Sequence, residues 1–144
     1  MPYEFLDHTA DIGVRVTAPD ARTLFSELAL AFYALLLGET GPATVETAET
    51  VRIVLQAEDR EALVVEFLAE LIYRFDAERL LLPHVVVEEL QLVGTHAHLR
   101  ATLSGERFDP RRHPFHTEVK AATHHGLRFE QGEGQIAVSV IFDL

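Results

Sequence analysis

Carboxylates stand near both ends of this 144-residue chain, beside segments whose alternating pattern is typical of strands. Asp11 directly precedes one such segment, Asp143 ends another, and the terminal carboxylate of Leu144 follows. If the first and last strands are neighbours, these charges converge, and each pair about 5 Å apart repels by roughly 3 kcal/mol at an effective dielectric constant of about 20. Oxygen ligands select hard cations such as Mg²⁺, Ca²⁺ or Mn²⁺. The pattern therefore favours a metal site, and the alternative is two ordinary polar residues at strand ends.

A lysine between small and acidic residues is the second candidate. Residues 117–124 read Thr-Glu-Val-Lys-Ala-Ala-Thr-His, which predicts a strand with Val119 and Ala121 on one face and Lys120 on the other. From there Lys120 could reach an acidic cluster or an anionic ligand of a partner. The alternative is an exposed ion pair with Glu118, worth under about 1 kcal/mol.

The histidines and serines form no compact zinc or nucleophile pattern. His96 and His98 share a face of a predicted strand, whereas His124 and His125 are adjacent and point in opposite directions. The pair Asp7-His8 resembles half of a hydrolase dyad, but no serine stands in a nucleophile-elbow context. Surface or pH-titrating histidines are the simpler interpretation.

Composition limits the function classes. The net charge is −11, from 23 acidic against 12 basic residues, which argues against direct binding of nucleic acid and suits either a basic protein partner or a well-solvated surface. The chain has no cysteine, so disulfides and thiol chemistry are excluded. Neither a secretory leader nor an apolar run of membrane-spanning length occurs, so we expect a cytoplasmic protein without membrane association.

The hydrophobic periodicity predicts two amphipathic helices. Asp20 is placed to cap the first, which runs to Leu37 and stops at Gly38; Asp59 opens the second, which ends near Ala77. Strands are predicted at residues 3–6, 12–17, 50–56, 85–93, 95–103, 106–109, 117–124, 127–130 and 135–144. The expected fold is one α+β domain over residues 1–144, with the helices packed on a mainly antiparallel sheet.

Four motifs together resemble the archease family over essentially the whole chain. They are Leu6-Asp-His-Thr-Ala-Asp11-Ile-Gly13, Gly105-Glu-Arg-Phe-Asp109 with His113, Glu118-Val-Lys-Ala121 with Thr123, and Val140-Ile-Phe-Asp143-Leu144. Their order and separation are far more specific than any one of them. One departure is His124, where the family usually has an aromatic residue such as tyrosine.

The resemblance implies an accessory protein of RtcB-type RNA ligases and not an enzyme. Those ligases join RNA ends in tRNA splicing and RNA repair, using GTP and a divalent metal, and archease promotes their guanylylation and multiple turnover. By motif, Asp11 and Asp143 match metal-binding aspartates, Leu144 matches a ligand through main-chain oxygen, and Lys120 matches a functionally required lysine. The implied cofactor is a divalent ion (Ca, Mg or Mn), and the implied partner is the ligase.

Two other functions stay open at this point. A stand-alone metal-dependent hydrolase built on Asp7, His8 and the acidic cluster would turn over a small ester without a partner. A chaperone-like interaction module would use the acids only as solvated surface.

Overall fold

Two α-helices carry most of the core, and side-chain caps fix where each begins. The computed structural model describes residues 2–7 and 11–144. Helix α1 spans Ala21–Leu37 and helix α2 spans Arg60–Glu78. The Asp20 carboxylate accepts the backbone N–H of Thr23, and the Asp59 carboxylate accepts that of Ala62, each at 2.8 Å. Both predicted N-terminal caps are therefore confirmed.

The strands form two antiparallel sheets within the described residues. Their bounds in chain order are β1 Tyr3–Asp7, β2 Asp11–Ala18, β3 Glu49–Ala57, β4 Leu80–Gln91, β5 Ala97–Arg107, β6 Ala121–Gly132 and β7 Gln135–Asp143. One sheet has the order β1-β2-β7-β6 and the other β3-β5-β4. A short 3₁₀ turn, Pro42–Thr44, follows α1. The α+β class predicted from the sequence is confirmed.

Each helix contacts strands of both sheets, whereas the sequence predicts helices on one sheet. Helix α1 packs against β2 and β4, and α2 packs against β6 and β3. This placement explains why the apolar surface of α1 exceeds the predicted stripe, since Ala29, Ala31 and Tyr33 are buried as well. A helix that is apolar on nearly all sides needs neighbours on all sides.

Gly105 and Gly126, which the sequence pattern predicts to separate strands, lie inside strands. The predicted segments 95–103 and 106–109 belong to the single strand β5, because Gly105 allows the backbone of β4 to approach closely. Segments 117–124 and 127–130 likewise give way to one strand, β6. Its pairing with β7 shifts register between Thr123 and Arg128, around Gly126 with φ 70°.

Candidate functional site

Asp11 and Asp143 lie directly opposite each other on adjacent strands. Asp11 begins β2, Asp143 ends β7, and their Cα atoms are register partners. The neighbouring partners Ile12 and Phe142 point to the core, so the two aspartates share the other face of the sheet. Side chains opposed in this way have Cβ atoms about 5 Å apart. The sheet therefore brings together two carboxylates that are 132 positions apart in the sequence.

Lys120 lies beside this pair, but not as a strand residue. Strand β6 begins at Ala121, the register partner of Asp143, so Lys120 is the last residue of the preceding loop. Its backbone N–H donates to the main-chain oxygen of Asp143 at 2.9 Å, and its side chain is exposed. Lys120 is also the sole lysine of the chain. The predicted strand 117–124 is wrong for its first four residues, since β6 begins at Ala121. Backbone hydrogen bonds to Leu36 and Asp143 hold residues 117 and 120 instead.

The donor set around Asp11 and Asp143 consists of oxygen atoms. Leu144 follows Asp143 directly, is 37% exposed and has a main-chain oxygen next to this pair. Over residues 2–7 and 11–144, no group of three or more His, Asp or Glu side chains is placed to hold a metal ion. Two carboxylates with main-chain oxygen fit Mg²⁺, which commonly takes one or two carboxylates and completes its shell with water and phosphate oxygens.

Among the described residues, the other histidines singled out in the sequence form no metal-holding group with Asp11 and Asp143. His98 lies in β5 while His96 precedes it, so they do not share one strand. His124 and His125 are both exposed in the irregular part of β6. Ser26 donates to the carbonyl of Val85 at 3.2 Å, a structural hydrogen bond. The Asp7-His8 pair cannot be placed, since His8 is outside the described residues.

A buried pair of polar residues, Glu106 and His113, together with the half-exposed Arg112, was not predicted from the sequence. Glu106 and His113 are only 7% and 3% exposed, and the imidazole Nε2 donates to the Glu106 carboxylate at 2.8 Å. The Nδ1 atom of the same ring accepts the backbone N–H of Asp109 at 2.9 Å, which places the ring proton on Nε2. Arg112 and the N–H of Glu46, at 2.8 Å, also donate to Glu106. In the sequence, Glu106 and His113 stand out only as part of a motif of the family resemblance.

This cluster makes stability depend on pH in acid. Arg112 first, and then the Glu46 N–H, lower the pKa of Glu106 from 4.5 to about 2. Because the folded state favours the carboxylate, its stabilising contribution is complete above pH 4.5 and is lost as the pH falls toward about 2.

In urea denaturation over that range, we expect wild type to lose about 2 kcal/mol more stability than Glu106→Gln, which lacks this titration. Asp20 and Glu130, whose pKa values are also lowered by their own partners, contribute equally to both proteins. Identical acid dependence in the two proteins would contradict the assignment.

Fold and site together define a class of small α+β proteins in which two aspartates are paired at the end of strand β7 and the backbone of a lysine bonds to the same strand end. The sequence profile of the archease protein family matches residues 3–144. The archease of Methanopyrus kandleri is 35% identical over 144 residues and the full length of both chains. That of Methanosarcina acetivorans is 34% identical, over 99% of this chain and 95% of its own. The chain belongs to the archease family.

Solved structures agree with this assignment. The solution structure of Methanobacterium thermoautotrophicum protein 1598 matches with a TM-score of 0.80 at 30% identity, covering 99% of each chain. The crystal structure of an archease from Thermotoga maritima, described as a possible chaperone, matches with a TM-score of 0.58 at 18% identity, over 96% of this chain and 94% of its own. The second likeness concerns the fold alone. No helix among the described residues is long and apolar enough to cross a membrane.

Proposed function

We propose that this protein is a metal-binding accessory factor that activates an RtcB-type RNA ligase by promoting its guanylylation with GTP and sustaining its turnover. Membership of the archease family supports this role. The observation that carries the proposal is the direct pairing of Asp11 with Asp143, with Lys120 bonded to the same strand end.

The proposed roles of the residues follow from their charges. Asp11, Asp143 and the main-chain oxygen of Leu144 would hold Ca²⁺, Mg²⁺ or Mn²⁺, as expected of hard oxygen ligands. A dication bound there supplies positive charge and open positions for phosphate oxygens. Lys120 adds a mobile cation on a four-carbon stem, which can offset the charge of an anionic ligand. In this proposal the two carboxylates and Lys120 bind and supply charge, and the chemical activity belongs to the partner.

A ligase guanylylation assay with and without this protein tests the proposal. We expect stimulation by wild type and a loss of about tenfold or more of that stimulation in Lys120→Gln, since a charge-assisted contact contributes about 1.5 to 3 kcal/mol. Lys120→Arg should keep part of the effect. Arg128→Gln is the control, because it removes a positive charge from β6, the strand that follows Lys120. The Arg128 side chain is 74% exposed, and the variant should behave as wild type.

Absence of stimulation by wild type would contradict the proposal, as would full activity of Lys120→Gln. Turnover of a phosphoester by the isolated protein would favour the hydrolase alternative instead.

A further inference from the structure

Residues 108–120 form a loop without regular strand pairing that connects β5 to β6 and ends at Lys120. We call it loop 108–120. Pro114, Phe115 and His116 in its middle are exposed, and of these the Phe115 ring stacks on Phe75 of α2 with 6.3 Å between the ring centroids. A segment of this kind keeps one conformation only where specific contacts hold it.

Three sets of contacts hold loop 108–120 to the rest of the protein. At its start, the buried ring of His113 bonds Glu106 in β5 and the Asp109 backbone. In its middle, the N–H groups of His116 and Thr117 donate to the Leu36 carbonyl at 2.8 and 3.2 Å, which satisfies a carbonyl at the end of α1.

At its end, Val119 is buried in the core at 3% exposure. The N–H of Lys120 then reaches the Asp143 carbonyl. The backbone of Lys120 is thus fixed against the strand end that carries Asp143.

We infer that Glu106 and His113 are positioning residues for Lys120. The ring of His113 is the buried polar anchor of the loop, and the carboxylate of Glu106 also accepts from Arg112 and from the Glu46 N–H. Loss of either partner leaves a buried polar group unsatisfied, so the start of the loop must shift or open.

The later contacts are backbone hydrogen bonds to Leu36 and Asp143, the buried Val119 and the Phe115 ring. The Phe108 ring contacts both His113 and Phe115, so an opening at His113 extends through these rings toward Lys120.

This role deepens the proposed function and rests on it, because Lys120 acts on the ligase only from a fixed place beside Asp143. Glu106 and His113 lie in neither the metal donor set nor the exposed surface around it. Their effect on activation would therefore pass through Lys120.

The test combines amide hydrogen exchange with the guanylylation assay. In Glu106→Gln we expect exchange at Thr117 and Lys120 to accelerate about tenfold or more, which corresponds to about 1.4 kcal/mol, while Val14 and Val140 in the sheet centre stay protected. Stimulation of the ligase should fall, and the affinity for Mn²⁺ should change by no more than about twofold, since Glu106 is buried in β5 and lies outside the proposed donor set.

A conservative variant and a control variant complete the test. The amide N–H of His113→Gln can still donate to Glu106, but its oxygen does not occupy the Nδ1 position that accepts from Asp109, so both readouts should be intermediate. Glu89→Gln is the control. It removes a carboxylate of β4 that Arg100 binds at 2.6 Å, and it should match wild type in both assays.

Unchanged exchange at Lys120 in Glu106→Gln and His113→Gln would overturn the inference whatever the ligase does. Faster exchange with full stimulation would overturn it too. If wild type never stimulates the ligase while exchange still accelerates in the variants, the proposed function fails and the anchoring of Lys120 stands.

Discussion

Asp143→Asn is expected to abolish stimulation of the ligase while leaving the protein folded and no less stable. Asn preserves the shape of the side chain but removes one of two charges that face each other across β2 and β7. Like charges directly opposite in a sheet are destabilising by up to about 1 kcal/mol, so without a bound cation the variant should equal or exceed wild type in stability. Loss of activity together with retained or increased stability is the signature of a functional charge.

Guanylylation assays and urea denaturation in a chelator measure the two effects. Glu133→Gln is a control, because Glu133 is an exposed carboxylate in the turn between β6 and β7, at the opposite end of β7 from Asp143. It should retain full stimulation. A marked loss of stability in Asp143→Asn would show that this carboxylate has a structural role. Normal stimulation by the variant would show that the carboxylate is not needed for activation.

Gly105→Ala is expected to destabilise the fold by about 3 kcal/mol or more. A Cβ atom at this position would lie 1.7 Å from the carbonyl oxygen of Leu81 and 2.7 Å from its carbonyl carbon. Both are backbone atoms of β4, next to the irregular pairing between Leu81 and His84, so relief requires the strands to separate. Glu106, the next residue, would then lose its place.

The free energy of unfolding from urea denaturation measures this effect. Gly132→Ala is the control, because the nearest atom to its added Cβ, Gln135 Cγ, is 4.0 Å away and the backbone conformation is ordinary. The control should remain within about 0.5 kcal/mol of wild type. Similar stability of the two variants would contradict the close approach of β4 to β5 at Gly105.

Local signals in the sequence predicted the helices well. Asp20 and Asp59 stand where a carboxylate can accept the first free N–H groups, and the apolar periodicity that follows each is strong. The strand boundaries were less predictable. Glycine ends a strand in some contexts and permits close backbone approach in others, and Gly105 and Gly126 belong to the second kind.

The site depended on long-range contacts that local patterns do not encode. The sequence suggested that the carboxylates at the two ends would converge if their strands were neighbours, and the pairing of Asp11 with Asp143 meets that condition. The place of Lys120 depends on anchors in α1, β5 and β7, so its assignment to a strand was wrong. The role of Glu106 was not predicted, because a buried carboxylate in a strand has no distinct sequence pattern. Its hydrogen bonds to Arg112, His113 and Glu46 show that role in the structure.

Titration of Mn²⁺ into the isolated protein, followed by amide NMR signals, tests the central claim most directly. The account predicts that paramagnetic broadening begins at Asp11, Asp143 and Leu144, spreads next to Lys120 and Ala121, and is lost in Asp143→Asn. Equal broadening in wild type and the variant, or broadening confined to another surface, would contradict a dication site shared by β2 and β7.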